Sequence, residues 1–243
     1  MADATHTIPM ANLALALLPV AVVVAILHTW SRDARETLYG FARMILQLSL
    51  IGYFLVYLFA AETPWVVVSV LAIMALVSSW ISLRTTKLSR RTLYPVALLA
   101  IALGGGSVLA LITQGVLRPD PWFKPQVMVP LAGMIFAASM NSVSLAAERL
   151  AAEMKRGDDY LTARSVALKA ALIPITNSLF AVGLVSLPGM MTGQILSGVS
   201  PLVAARYQIM VMCMMFAAAG LSATLFLLFI RPQAEQSMSE KAF

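Results

Sequence analysis

Seven nearly uncharged, largely apolar stretches of about 20 residues each constrain this chain more than anything else in it. They lie near residues 10–29, 43–61, 64–83, 93–114, 126–147, 172–195 and 206–230. A helix rises about 1.5 Å per residue and needs about 20 residues to cross a hydrocarbon layer roughly 30 Å thick. The runs are too long for membrane strands and show no period-two alternation. Only 12% of the 243 residues are charged, about half the share usual in soluble domains. The expected fold class is therefore an all-α polytopic membrane protein of about seven transmembrane helices. It is read as one transmembrane domain over residues 1–243.

The basic residues give the orientation. Arg32, Arg35 and Arg43 follow the first run, Arg84, Lys87, Arg90 and Arg91 the third, and Arg149, Lys155, Arg156, Arg164 and Lys169 the fifth. With Arg231 and Lys241 of the tail, 14 of the 17 Lys and Arg fall on one side, against Arg118, Lys124 and Arg206 on the other. The positive-inside bias then predicts an external N-terminus and a cytoplasmic C-terminus. The net charge of +6 is spread over short loops, so it reads as a topology signal, and no nucleic-acid partner is expected. The opening MADATHTIPM has no basic residue before its apolar run, so the first run is expected to stay as an anchor. A single cysteine, Cys213, excludes an internal disulfide.

Two absences narrow the function. No GxxxxGK[ST] occurs, so ATP is not bound through a P-loop. None of the 11 carboxylates falls at the centre of a run, whereas ion-coupled carriers often keep one inside the membrane. The glycine-rich GGGS at Gly104–Ser107 has no following lysine and reads as close helix packing.

After the fifth run, the helix expected from a start near Pro130 continues through AAERLAAEMKR and stops at Gly157, a C-terminal cap. Arg149 and Glu153 are spaced to pair at i,i+4. Asp158 and Asp159 stand where an N-cap belongs, before a second helix, YLTARSVALKAAL, expected to end near Pro174. The two would form a cytoplasmic helical hairpin between the fifth and sixth spans, with residues 148–171 as its coupling segment. It is either a solvated loop that enforces topology or a docking element.

SLPGMMTGQILSGVSP, residues 186–201, interrupts the sixth run. Pro188 cannot donate a backbone hydrogen bond, and Gly189, Gly193 and Ser197 form a row of small residues at i+4 spacing that suits close helix approach. Two readings stay open. Pro188–Gly189 is a break within a membrane helix facing an assembly interior, or Pro188 ends the span and residues 189–200 lie outside. Ser200-Pro201 resembles an N-cap with proline at N1, starting a helix expected to reach Arg231. The chain has 15 methionines, which are read as adaptable packing.

Several segments carry a family resemblance: ALKAALIPITNS, VGLVSLPGMMTGQILSGVSP, ARYQIMVM, RMILQLSLIGYFLVYLF and PLAGMIFAASMNS. Together they resemble the FetB-like family of ABC-transporter permeases, over roughly residues 10–230. Plant half-transporter membrane subunits of aluminium tolerance are similar. The resemblance implies a permease subunit of an ABC exporter in the bacterial inner membrane, carrying metal ions such as iron. ATP and Mg would be bound by a separate cytoplasmic ABC ATPase subunit, with no cofactor on this chain. Two copies would pair as a homodimer in the lipid bilayer. On that reading the docking candidates are Glu153, Arg156, Gly157, Asp158 and Arg164. The translocation-path candidates are the oxygen-bearing Asn141, Ser142, Asn177, Thr192 and Gln194. The resemblance supplies no metal-ligand set. The alternatives are a stand-alone secondary carrier or channel, a nucleotide-sugar ABC permease, and a membrane scaffold without transport.

Overall fold

The computed structural model describes residues 9–30, 34–86 and 90–239. Arg32, Lys87 and Lys241, counted above for orientation, lie outside the described residues. In chain order the helices are α1 (Met10–Leu15), α2 (Leu17–Trp30), α3 (Ala34–Phe59), α4 (Pro64–Ser82), α5 (Arg90–Ala110), α6 (Pro125–Arg156), α7 (Tyr160–Ala181), α8 (Gly189–Leu196), α9 (Pro201–Phe229) and α10 (Arg231–Ser239). A π-helical turn, Leu111–Leu117, extends α5. Among the described residues the single non-helical pairing is a bridge between Val182 and Ser186.

Six helices are long and apolar enough to cross a membrane: Asn12–Trp30, Ala34–Phe59, Pro64–Ser82, Arg90–Leu117, Pro125–Arg156 and Pro201–Phe229. The seventh expected run, 172–195, is corrected. It is not one helix, because α7 ends at Ala181 and α8 begins at Gly189. The hairpin helix expected to stop near Pro174 is corrected too, since α7 passes through Pro174.

The chain divides into two compact units, residues 1–60 and 61–243. In the first, α2 packs on α3. No residue of α2 is buried, and Leu18, Val22 and Leu46 are among the many exposed apolar side chains. Helices satisfy their own backbone groups, so such surfaces are stable when hydrocarbon is the solvent.

In the second unit α6 is the central element. It packs against α4, α5, α7 and α9, while α5 also packs along α9. Small residues make this possible. A Cβ placed on Gly104 of α5 would lie 2.7 Å from both the backbone N and the Oγ of Ser222 of α9. One on Gly105 would lie 3.1 Å from Ile135 Cγ2 and Ser139 Oγ of α6. The expected packing role of the glycine run is therefore seen at two of its three glycines.

Buried hydroxyls join the same seam without leaving donors unpaired. Ser222 Oγ lies 3.0 Å from Ser139 Oγ, Ser139 Oγ donates to the Ala218 carbonyl at 3.3 Å, and Ser142 Oγ donates to the Ala219 carbonyl at 2.9 Å. In α4, Ser79 returns its proton to the Ala75 carbonyl at 2.7 Å, one turn back. An unpaired hydroxyl in an apolar interior costs about 1–3 kcal/mol, and these bonds avoid that cost.

The helix ends follow their residue types. α6 begins with Pro125 at N1 after Lys124, so the expected start at Pro130 is corrected; Pro130 lies inside the helix. Gly157 ends α6 in the left-handed region at φ 102°, with its N–H donating to the Glu153 and Met154 carbonyls. Asp159 caps α7 by accepting from the Leu161 and Thr162 N–H groups at 3.0 and 3.3 Å. Ser200 caps α9 by accepting from the Val203 N–H, with Pro201 at N1. α9 stops at Phe229, and the chain resumes as α10 at Arg231, so the single helix expected to reach Arg231 is shorter than predicted.

Candidate functional site

The site is built around a proline inside α7. Pro174 has no N–H, so the carbonyl four residues earlier, on Ala170, loses its helical donor. Pro174 is exposed on α7. Beside it lies a groove of about 170 Å³ lined by Asn141, Ser142 and Leu145 of α6, Pro174, Ile175 and Ser178 of α7, and Met215 of α9, among others. Ser178 donates its hydroxyl to the Pro174 carbonyl at 3.0 Å.

Two exposed amides stand on these helices, Asn141 in the groove and Asn177 outside it. Asn141 is exposed on α6, although the residues beside it, Ser142 and Val143, are buried. Asn177 and Ser178 of α7 are exposed as well. Neither amide makes a side-chain hydrogen bond among the described residues. A polar side chain at membrane depth is costly against lipid, and such groups normally face a protein neighbour or water. Ser142 differs, since it is buried and its proton is spent on the Ala219 carbonyl.

The chain beyond α7 closes on itself. The Ala181 carbonyl accepts from the N–H groups of Leu184, Val185 and Ser186 at 3.3, 2.8 and 3.1 Å, while Gly183 donates to the Ser186 carbonyl at 2.9 Å. Gly183 has φ 85°, a conformation that favours glycine. All four N–H groups are thus satisfied locally, as irregular backbone in a low-dielectric setting requires. The side chains of Leu184, Val185 and Leu187 point outward, at 91%, 84% and 62% exposure.

Pro188 then precedes α8, which packs against α9. Thr192 donates to the Pro188 carbonyl at 3.2 Å, and Ser197 to the Gly193 carbonyl at 2.8 Å. Gln194 is half-buried. Among the described residues, a Cβ on Gly189 or Gly193 would meet nothing within 4 Å. The structure brings Asn141, Ser142 and Ser178 together, whereas Asn177, Thr192 and Gln194 do not line their groove.

The opposite feature is the turn between α6 and α7. Glu153, a docking candidate, is buried at 4% exposure. Its carboxylate pairs with Arg149, one turn earlier, and with Arg156 at 3.3 Å. Glu153 therefore organises the turn. Lys155, Arg156, Gly157 and Asp159 form its exposed rim, and Asp158 is half-buried. The pKa of Asp159 is lowered, first by its hydrogen bond with the Thr162 side chain and then by backbone donors. Arg164 faces elsewhere and lines a groove shared with α9.

Tyr160, absent from the sequence reading, ties this turn to α9. It is buried, donates its hydroxyl to the Leu227 carbonyl, and lies under the Arg231 guanidinium at 5.7 Å from the ring centre. Arg231 in turn donates to Glu235 at 2.8 Å. Burial raises the Tyr160 pKa, partly opposed by Arg164 and Arg231. The turn is thus bonded directly to the end of α9. An aromatic beside an N-cap was the available signal, but nothing local identifies its partner.

Among the described residues no group of three or more His, Cys, Asp or Glu is placed to hold a metal. Any cation met by this face would meet amide, hydroxyl and carbonyl oxygens, which suit hard cations.

A family model described as an uncharacterised protein family, UPF0014, matches residues 10–164 and 160–234. The chain belongs to that family. It is 36% identical over 192 residues to the UPF0014 membrane protein slr1647 of Synechocystis, covering 73% of this chain and 74% of the relative. It is 31% identical over 234 residues to the Escherichia coli protein titled "Probable iron export permease protein FetB", covering 90% and 89% of the two chains. Protein ALUMINUM SENSITIVE 3 of Arabidopsis thaliana is 32% identical over 222 residues, covering 84% and 80%. No solved structure is significantly similar to the chain. This UPF0014 chain is a multi-pass membrane protein, as the sequence predicts, and its resemblance to the FetB-like permeases is confirmed.

Proposed function

We propose that this protein is the membrane permease subunit of an ABC-type exporter in a bacterial inner membrane. It works as a pair of identical chains, with ATP and Mg bound by a separate cytoplasmic ATPase subunit. The permease title of the Escherichia coli relative supports this reading over most of both chains. Metal ions such as iron are the proposed cargo. The chain itself performs no hydrolysis.

The observation that carries the reading is the groove at Asn141 and Ser178, beside the interrupted ladder at Pro174, with Asn177 exposed on α7 outside it. Oxygen-bearing side chains that face outward from apolar helices need either water or a second chain opposite them. A path along a permease–permease seam supplies both. Thr192 and Gln194 of α8 would lie farther along that path, and Pro188, Gly189, Gly193 and Ser197 would receive the partner helix.

Work would enter through the α6–α7 turn. Its rim carries Arg156, Gly157 and Asp158, held by the buried Glu153 below and fastened to α9 by Tyr160. The test is co-purification with a co-expressed cytoplasmic ABC ATPase subunit. Arg156→Glu should reduce ATPase recovery several-fold while the permease still inserts. Unchanged recovery, with the turn shown to be cytoplasmic, would remove this docking surface from the proposal.

A further inference from the structure

Between α7 and α9, at the same end of the bundle as the α6–α7 turn, runs an open groove of about 340 Å³. Its floor and walls are Leu168, Leu227 and Leu228, and its polar edge is Arg164, Ser165 and Thr224. We infer that this groove holds an anionic glycerophospholipid, one acyl chain lying on the leucines and the headgroup phosphate on Arg164.

Charge is the first argument. The other arginines near the turn each have a carboxylate partner, Arg149 and Arg156 sharing Glu153 and Arg231 facing Glu235. Arg164 makes no ion pair among the described residues, although it is half-buried. A guanidinium held against an apolar wall needs an anion or water, and its planar donors match a phosphate.

Depth is the second argument. Leu227 and Leu228 belong to the last turn of a membrane-length apolar helix that ends at Phe229. Arg164 is one turn along α7 from Tyr160, which is bonded to the Leu227 carbonyl. The cation therefore sits where an apolar span gives way to polar surface, the level of lipid phosphates. Basic pockets between membrane helices at this level suit anionic headgroups. The leucines supply the apolar surface that a free anion would not use. This separates Arg164 from the exposed rim of Arg156 and Gly157, and it changes its role from partner docking to lipid binding.

The experiment is native mass spectrometry of the full-length protein in neutral detergent, titrated with dioleoyl phosphatidylglycerol or dioleoyl phosphatidylcholine. Neither an ATPase nor a transport substrate enters it, so its outcome is independent of the permease reading. Wild type should prefer phosphatidylglycerol by about fivefold, the contribution expected of one interfacial arginine. Arg164→Gln should abolish that preference, and Arg164→Lys should retain most of it. Thr224→Phe fills the groove while keeping Arg164, and should lower occupancy by phosphatidylglycerol even if Arg164→Gln fails to fold. Equal binding of the two lipids by wild type, or a preference that survives Arg164→Gln, would overturn the inference. So would inorganic phosphate displacing the lipid at millimolar concentration, since the site would then be an anion site without a lipid requirement.

Discussion

Gly104→Ala tests whether backbone approach holds the α5–α9 seam together. In a solvent-like setting the substitution should help, because alanine is favoured over glycine in a helix interior by about 1 kcal/mol. Here the new Cβ would lie 2.7 Å from Ser222 N and 2.9 Å from Ser222 Cα. Those are main-chain atoms, so no rotamer change relieves the contact and the helices must separate. Overpacking of this kind costs typically 1–3 kcal/mol, and a main-chain clash belongs at the upper end. The expected net loss is about 2 kcal/mol, or roughly 4–8 °C in Tm for a chain of this size.

Gly106→Ala is the control. A Cβ there would meet nothing within 4 Å, so the same chemical change should leave Tm unchanged or raise it by about 2–4 °C. Melting followed by size-exclusion elution in detergent reads both variants. Ser222→Ala in the Gly104→Ala background should recover only the hydroxyl part of the clash, because the backbone contacts remain. A Gly104→Ala protein as stable as wild type would refute the close-approach argument.

Tyr160→Phe removes the hydroxyl bonded to the Leu227 carbonyl and should cost about 1 kcal/mol, read as a lower detergent Tm. Burial holds the Tyr160 pKa above its ordinary 10.0, so this contribution is complete below that value and lost as pH rises through the raised one. Asp159→Ala should destabilise the start of α7 while Asp159→Asn retains most of the cap, a difference visible in hydrogen exchange at residues 161–163. The Asp159 pKa is lowered from 3.8, so its stabilisation is present above the ordinary carboxylate range and fades only as pH falls through the lowered value.

The membrane helices were readable because each is a long apolar run, and lipid imposes that length directly. The caps were readable for local reasons. Gly157 takes a positive φ that few residues tolerate, and Asp159 and Ser200 offer an oxygen to the first turn. Pro174 was misread because the rule against proline in a helix is a rule about cost. α7 accepts one missing bond and is supported by packing along α6 and α9. The break instead falls at Val182–Pro188; the sequence marked its far end at Pro188, while its start, next to Gly183, went unmarked. The groove at Asn141 and Ser178 joins residues 37 positions apart. Asn141 could be singled out in the sequence, but the register that brings α6 and α7 together is not a local property. The same holds for Ser139 with Ser222 and Tyr160 with Leu227.

The most direct test of the transport account is metal flux in proteoliposomes containing this chain with the ABC ATPase that co-purifies with it, measured across several elements, with wild type and Asn141→Leu compared. The account predicts flux that requires both ATP and the ATPase, reduced roughly tenfold by Asn141→Leu, about the effect of one lost hydrogen bond to a charged group. Uphill flux by the isolated chain, or full activity of a correctly inserted Asn141→Leu protein, would contradict it.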